Sequence, residues 1–193
     1  MSLQEYRHKR HFTATPEPSG TARPARARRL RYVIHKHHAR TLHYDFRLEW
    51  NGVLLSWAVP KGPSTAPGTK RLAVRVEDHP LEYAKFEGRI PEGEYGAGTV
   101  AIWDEGVWHP DDPNVDVALR RGELRFTLEG RRLKGAWVLV RTGFGAGSAT
   151  SRGRSGSRQA WLLIKRRETR AASAELTATT GAKRRRSAAR SDS

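Results

Sequence analysis

Cysteine is absent from the 193-residue chain, and so are long apolar runs. Without cysteine the chain has no disulfide scaffold, no thiolate nucleophile and no cysteine-ligated zinc or iron–sulfur site. The longest nearly apolar run, residues 53–59, is far shorter than the ~20 residues with which a helix crosses a bilayer. The N-terminus also lacks the apolar segment of a secretory signal. These absences predict a soluble, cytoplasmic protein without membrane contact.

Acidic residues are scarce beside basic ones, because 20 Asp and Glu face 36 Lys and Arg, for a net charge of +16. Residues 1–31 and 165–193 each carry a net +6, whereas residues 32–164 carry only +4. Basic tails attract a polyanion through phosphate charge and counterion release; solubilising ends without a partner are the alternative. We expect a basic N-terminal arm at 1–31, one domain at 32–167 and a disordered basic tail at 168–193, with nucleic acid as the partner.

Helical periodicity is scarce between the tails, where apolar and polar residues alternate instead. Strands are predicted at residues 31–37, 42–50, 53–59, 71–77, 99–103, 123–128, 136–141 and 160–166. Only residues 116–121 favour a short helix, and the Gly/Ser/Arg-rich residues 143–158 favour a long loop. Many short strands separated by turns are typical of a barrel or sandwich. We therefore expect a mainly β protein: a compact, closed or nearly closed barrel of about eight strands with short helical segments.

One hairpin is specified in detail. Asn51-Gly52 is a strong signal for a two-residue type I′ turn, which pairs the residues that flank it and so fixes the register of both strands. The apolar residues at 44, 46 and 48 then share the core face. His43, Asp45 and Arg47 form a row on the opposite face, about 6.5–7 Å from one to the next. Their cross-strand partners are small, so we expect an open polar face with room for a ligand.

Four histidines lie within residues 35–43. A turn at 39–41 would bring His37 beside His43, close to Asp45. Two imidazoles and a carboxylate with open positions are typical ligands of Mn²⁺, Fe²⁺ or Zn²⁺. A solvated polar face with scattered histidines is the alternative, and the spacing alone leaves both interpretations open.

More cations and titratable groups follow along the chain. Lys61 comes just after the hairpin, and Arg71 and Arg75 share one face of the next strand, with apolar residues 72, 74 and 76 on the other. Glu77 and His79 lie at its end, where a side chain can reach a cleft rim, although a turn histidine without function is the alternative. The glycine-rich stretches at 93–99 and 143–148 lack the Gly-Lys-Ser/Thr of a phosphate loop, and no Gly-x-Ser-x-Gly elbow occurs.

Together these motifs resemble a known family. Residues 35–49 (HKHHARTLHYDFRLE) resemble the signature of the 3′-phosphoesterase domain of bacterial DNA ligase D, and SWAVPKGP at 56–63, RLAV at 71–74, EDHPLEY at 77–83 and IPEGEYGAGT at 90–99 follow in order. The similarity covers roughly residues 3–167. It implies a β-barrel and Mn²⁺-dependent healing of DNA 3′ ends: removal of a terminal ribonucleoside leaves a 3′-phosphate, which is hydrolysed to a 3′-OH.

The resemblance also implies roles for single residues. The implied ligands of Mn²⁺, or alternatively of Co²⁺ or Zn²⁺, are His37, His43 and Asp45. The residues implied at the scissile phosphate are Arg47, His79 and Tyr83, supported by Lys61, Arg71 and Glu77. An arginine suits a bidentate clamp on two phosphate oxygens. A histidine that titrates near neutrality, as we expect of His79, suits proton donation to a leaving oxygen.

The N-terminal residues 6–18 resemble the family's entry motif, which implies that the arm packs near the active site. Arg10 and Glu17 match the motif and are implied near the substrate phosphate. His11 stands where the family usually has aspartate, which leaves open whether both hydrolytic steps are retained. His35 stands where glutamine is common, so we expect it to add a metal ligand or to change the metal preference.

Three functions are consistent with these features. The first is a stand-alone DNA 3′-end-healing phosphoesterase, monomeric and working with a separate ligase, polymerase or end-binding protein. The second is a catalytically impaired DNA-end-binding module that assists such enzymes. The third is a general metal-dependent nuclease, which alone would cut a circular single strand.

Overall fold

A computed structural model describes residues 3–20, 29–143 and 159–167 of the chain. Their secondary structure is mainly β, with two short α-helices and a 3₁₀ helix at Leu81–Lys85. The α-helices are α1 (Leu3–His8) and α2 (Val115–Arg121). The strands are β1 (Arg31–His38), β2 (Leu42–Trp50), β3 (Val53–Val59), β4 (Lys70–Arg75), β5 (His79–Pro80), β6 (Gly88–Ile90), β7 (Gly98–Pro110), β8 (Glu123–Gly130), β9 (Lys134–Arg141) and β10 (Ala160–Lys165).

Eight of these strands form a closed antiparallel barrel. Neighbours follow the order β1-β2-β3-β4-β10-β9-β8-β7, and β1 pairs with β7 to complete the ring. The two shortest strands lie off the ring, since β5 pairs with β3 and β6 pairs with β7. Closure satisfies the backbone hydrogen bonds that an open sheet would leave at its edges. The predicted barrel is confirmed.

The hairpin β2–β3 has the predicted register, with Trp50 opposite Val53 and Tyr44 opposite Val59. Asn51 and Gly52 have φ values of 48° and 79°, the left-handed backbone that a type I′ turn requires at both central positions. The turn therefore sets which residues of β2 face the barrel interior and which face outward.

The barrel interior contains the larger apolar cluster. Four tryptophans are almost fully buried, and together with phenylalanines and aliphatic side chains they fill the space between the strands. The largest members are Tyr32, Phe46, Trp57, Trp108, Phe126, Trp137 and Trp161. Large aromatic side chains suit this position because an eight-stranded barrel is just wide enough to be filled by side chains.

A second apolar cluster lies on the outer side of β1 and β3. Val33 and Leu54 point outward from these strands and are buried beneath Tyr6 of α1 and Tyr83 of the 3₁₀ helix. Residues 3–20, the 3₁₀ helix and β6 thus cover part of the outer wall; we refer to residues 3–20 as the cover segment. The cover leaves a cleft above His43, Asp45 and Arg47, so the room expected there for a ligand is present.

The observed bounds of strand β4 differ from the predicted ones. The strand ends at Arg75, not at residue 77, and its apolar side faces outward: Leu72 is 47% exposed, whereas Ala73 is fully buried in the interior cluster. Arg75 lies on the inward side, where its guanidinium is 4.6 Å from the Trp57 ring and donates to Asp78 and to the carbonyl of Ser56. The small Ala73 faces inward because the bulky Trp161 is its partner on β10.

Other elements deviate less. Strand β7 is 13 residues long, well beyond the predicted 99–103, and α2 begins one residue before the predicted helix. Elements α1, β5, β6 and the 3₁₀ helix are too short for a periodic pattern and were not predicted. Most of the predicted loop at 143–158 and the whole predicted tail at 168–193 lie outside the described residues. No helix of the described ranges is long and apolar enough to span a membrane.

Candidate active site

A cleft of about 680 Å³ opens between the outer wall of the barrel and the cover segment. Its wall side carries outward-facing residues of β1 to β4, and its opposite side carries residues of the cover segment and of the turn before β7. The polar side chains that line it are Glu5, Lys9, His37, Thr41, His43, Asp45, Arg47, Arg75, Glu77, His79 and Tyr95. The cleft thus combines a carboxylate–imidazole cluster with several cations.

Three side chains that could bind a metal ion, His37, His43 and Asp45, lie where β1 pairs with β2, and we refer to them as the metal-type cluster. His37 is directly opposite His43, and their ring centroids are 4.7 Å apart. Asp45 contributes the third ligand atom, and the ligand atoms all lie within 4.8 Å of one another. Among the described residues this is the group suited to a metal ion. The predicted juxtaposition of the three side chains follows from the β1–β2 register.

Hydrogen bonds to backbone carbonyls orient both imidazoles. His37 Nε2 donates to the carbonyl of Gly96 over 2.8 Å, and His43 Nδ1 donates to the carbonyl of Thr41 over 3.0 Å. The other nitrogens, His37 Nδ1 and His43 Nε2, face the Asp45 carboxylate, at 3.5 Å each. Two imidazole nitrogens and a carboxylate in this arrangement are ligands that fit a divalent cation.

Asp45 is ionised in this environment. Burial raises its pKa, but the charge of Arg47, followed by the two neighbouring imidazoles, outweighs burial and leaves the pKa well below its usual range. The carboxylate therefore remains available as a ligand throughout the physiological pH range.

Arg47 connects the cluster to the covered side of the cleft. Its Nη2 donates to Asp45 Oδ2 over 3.1 Å, its Nη1 donates to Ser56 Oγ over 2.8 Å, and its Nε points to His35 Nδ1 over 3.4 Å. Its guanidinium also lies over the ring of Tyr83, 4.8 Å from the centroid. Each Nη carries two hydrogens and uses one, so two Nη hydrogens have no partner among the described residues.

His35 does not join the metal cluster, contrary to expectation. Its ring meets that of Tyr83 edge to face at 5.6 Å, and its Nδ1 accepts from Arg47. Its buried Nε2 has no hydrogen-bond partner among the described residues. Burial, followed by the charge of Arg47, lowers the pKa of His35 to about 3, so the imidazole is neutral and part of the packed wall.

His79 lies deep in the cleft between two tyrosines. The ring centroids of Tyr6 and Tyr83 are each 4.8 Å from its own. His79 Nδ1 donates to the carbonyl of Glu77 over 2.9 Å, which leaves Nε2 to accept from Arg10 Nη2 at 3.3 Å. Burial, Arg47 and Arg10 hold the pKa of His79 well below 6.5. The expectation that it titrates near neutrality is therefore wrong for this state.

Tyr83 forms the floor beneath these groups and is 2% exposed. Its ring contacts His35, His79 and the Arg47 guanidinium. Burial keeps the pKa of its hydroxyl well above 10, despite the nearby arginine charges. The phenol is therefore neutral.

Ion pairs fasten the cover segment to the barrel. Arg10 donates to Glu17 Oε1 over 2.8 Å and to Glu77 Oε1 over 3.3 Å. Lys9 donates to the other oxygen of Glu77 over 3.1 Å. Burial raises the pKa of Glu77, but its own backbone amide, Lys9 and Arg10 together lower the pKa by more. The network places Arg10 of the cover segment beside His79 and Lys9 beside Glu77.

Three predicted site residues are not brought to this cluster. Lys61 is exposed beyond the end of β3, and Arg71 lies on the same, inward side of β4 as Ala73. His11 points to solvent, with its side chain 81% exposed and its Nδ1 3.3 Å from Glu94. Nine of the other ten predicted residues either line the cleft or contact a residue that does, and the tenth, Glu17, is bonded to Arg10.

Sequence reasoning missed four contributors. Lys9, Ser56, Tyr95 and the carbonyl of Gly96 all contact the site. A carbonyl has no sequence signal, and the sequence indicates Ser56 only as a small neighbour of Arg47. Lys9 and Tyr95 occur inside family-like motifs, but only the folded cover segment and the turn before β7 bring them together.

Comparisons with known proteins show which family the sequence is related to. The family described as "DNA Ligase D 3'-phosphoesterase domain" matches residues 35–141. The chain is 51% identical over 168 residues to the "Multifunctional non-homologous end joining protein LigD" of Pseudomonas aeruginosa, covering 86% of this chain and 19% of that protein. It is 49% identical over 144 residues to the "Multifunctional non-homologous end joining DNA repair protein LigD" of Mycobacterium tuberculosis, covering 72% of this chain and 18% of that protein.

The chain thus spans about a fifth of the length of these curated relatives. The matched stretch contains the metal-type cluster, Arg47, His79 and Tyr83, and the longer match covers 86% of the chain. On this evidence the chain belongs to the DNA ligase D 3′-phosphoesterase family.

Proposed function

We propose that this protein is a DNA-repair enzyme that heals 3′ ends: it removes a terminal ribonucleoside and then the 3′-phosphate, leaving a 3′-OH for joining. The observation that carries the proposal is the convergence of ligand atoms of His37, His43 and Asp45 beside the guanidinium of Arg47. Family membership supports the same reaction class. The matched relatives are end-joining proteins by name.

His37, His43 and Asp45 would hold a divalent cation, Mn²⁺ in our proposal, which when bound supplies charge neutralisation and polarisation at phosphorus. Arg47 would bind non-bridging phosphate oxygens with its two remaining Nη hydrogens, already aimed by Ser56 and Asp45. Lys9 and Arg10 would add positive charge on the opposite side of the cleft. The substrate phosphate would thus meet cations from the barrel wall and from the cover segment.

His79 would change protonation with substrate. Its pKa is low because the site is dry and because Arg10 and Arg47 are positive. A phosphate anion in the cleft offsets both charges and therefore favours the protonated imidazole. His79 would take up a proton at Nε2 when phosphate binds, and donate it to the leaving oxygen.

The direct test is a primer–template with a 5′ label and one 3′-terminal ribonucleotide, incubated with the protein and Mn²⁺, and with Co²⁺ or Zn²⁺ in parallel. The proposal expects conversion to a shortened 3′-phosphate and then to a 3′-OH. Arrest at the 3′-phosphate would reduce the proposal to one step. DNA binding without any conversion would instead support an end-binding module, and cleavage of a circular single strand would indicate a general nuclease.

His43→Ala tests the assignment of the site. Loss of one ligand should lower the rate by roughly 100-fold or more and weaken Mn²⁺ binding, measured by electron paramagnetic resonance, while DNA affinity is largely kept. His109→Ala is the matched control, because His109 is 53% exposed on β7, where it pairs with the exposed Glu129. Full activity of His43→Ala would contradict the proposed metal site.

A further inference from the structure

An exposed aromatic ring lies at the mouth of the cleft. Of the large apolar side chains exposed in the described ranges, Leu42, Leu72, Tyr95 and Val117, Tyr95 alone lines the cleft. It is 43% exposed. The inner groups of the cleft bind phosphate or metal, and none of them offers a flat apolar surface at the mouth.

The ring is fixed in place by the turn that carries it. The backbone amides of Glu94 and Ala97 donate to the carbonyls of Pro91 and Glu94 over 3.3 Å and 3.1 Å. Gly96, the residue after Tyr95, has φ 82° and gives its carbonyl to His37. One turn therefore orients a candidate metal ligand through Gly96 and presents an aromatic ring through Tyr95, the residue before it.

Cations accompany the ring. Lys9 Nζ lies 5.1 Å and Arg10 Cζ 5.4 Å from its centroid. A positively charged groove that follows the phosphates, together with an aromatic side chain on which a base stacks, is the general arrangement for sequence-tolerant binding of single-stranded nucleic acid.

We propose that Tyr95 is the stacking platform for the terminal nucleobase of the DNA 3′ end, and so positions the last phosphate between Arg47 and the metal-type cluster. The inference rests on the proposed function, because it assumes a nucleic-acid 3′ end in the cleft. Stacking uses the flat face of any base, so Tyr95 would make the site tolerant of base identity. Tyr95 is a positioning residue and takes no part in proton transfer.

The test compares two substrates and three variants. Single-turnover rates are measured on a 3′-phosphate end whose last nucleotide carries its base and on a matched end whose last nucleotide is abasic. Tyr95→Leu should lose roughly 10- to 100-fold on the first substrate and little on the second, whereas Tyr95→Phe should keep the wild-type rate on both. Val117→Ala, an exposed position on α2 outside the cleft, is the control and should change neither rate.

A second measurement does not need turnover. A 2-aminopurine placed as the terminal base should be quenched when wild type or Tyr95→Phe binds in EDTA, and should stay bright with Tyr95→Leu. The inference would be overturned if Tyr95→Leu lowered the single-turnover rate equally on both substrates, or if the 2-aminopurine stayed unquenched on the wild-type protein. If wild type quenches the base but hydrolyses nothing, the stacking role stands and the proposed enzymatic function fails.

Discussion

The two histidines that depart most from their expected behaviour do so because of what surrounds them. His35 and His79 are 0% and 3% exposed and both face the Arg47 guanidinium. Burial and a nearby positive charge each disfavour the imidazolium. A motif specifies which residue is present, but the charge of that residue depends on the cover segment, which no local pattern predicts.

The low pKa of His35 should make the folded protein measurably less stable at acidic pH. Its folded-state pKa is about 3 against 6.5 in the unfolded chain, so the unfolded chain takes up the proton first as the pH falls. This contribution to stability is complete above pH 6.5 and is lost toward pH 3, at ~1.4 kcal/mol per pH unit. His79, whose pKa is also lowered, acts in the same direction.

His35→Gln removes this titration while its side-chain oxygen can still accept from Arg47 Nε. In urea unfolding without divalent metal, the wild type should lose ~2 kcal/mol more than the variant between pH 6.5 and 5. His109→Gln, at an exposed position, is the control and should follow the wild type. If the free energy of unfolding changed with pH in the same way for the wild type and His35→Gln, His35 would not be held neutral by burial and Arg47.

At the scale of elements, the strands with strong turn signals were predicted best. The Asn51-Gly52 turn determined the register of β2 and β3, and with it the row of His43, Asp45 and Arg47. The sequence pattern separated the two faces of β4 but did not predict which one is inward, because that depends on Trp161 of β10, far away in sequence. Alternation shows that a strand has two faces, but only its neighbours determine which is inside.

A buried carboxylate fastens the turn between β8 and β9 to β7. Asp104 accepts from the backbone amides of Arg131, Arg132 and Leu133 over 2.9–3.1 Å, and from the Tyr32 hydroxyl over 2.7 Å. Asp104→Ala would leave several donors without an acceptor, and we expect a loss of ~2–4 kcal/mol in the free energy of unfolding.

The adjacent residue provides a matched control. Glu105 pairs with Arg131 of the same turn, but the two side chains are 47% and 82% exposed. Glu105→Ala should therefore change the free energy of unfolding by less than ~0.5 kcal/mol. Equal losses in chemical denaturation for the two variants would contradict the importance given to the buried carboxylate.

At the scale of the whole molecule, the site depends on contacts between distant parts of the chain. Arg10 reaches Glu77 across 67 positions and His79 across 69. The barrel and the metal-type cluster were predictable because they rest on adjacent strands and short turns. The covering of the outer wall was not, because it rests on short elements whose burial comes from tertiary packing.

The basic C-terminal residues are expected to act electrostatically, and this role can be tested separately. Deleting residues 169–193, which contain six Lys and Arg against two acids, should weaken DNA binding and make it less dependent on salt. The log–log slope should fall by about one unit for each phosphate that the tail neutralises. The rate at saturating DNA should be unchanged. Affinity measured from low to high salt tests this, and an unaltered slope would remove these residues from the DNA-binding surface.

Strand β2 serves two purposes with alternate residues. Tyr44, Phe46 and Leu48 face the barrel interior, whereas the residues between them face the cleft. Selection for folding and selection for chemistry therefore act on alternate positions of one strand. The inward residues can change while the cleft-facing residues stay constant, and the reverse also holds. A library that varies only the inward positions would search for thermostable enzymes without sampling a single change in the reaction machinery.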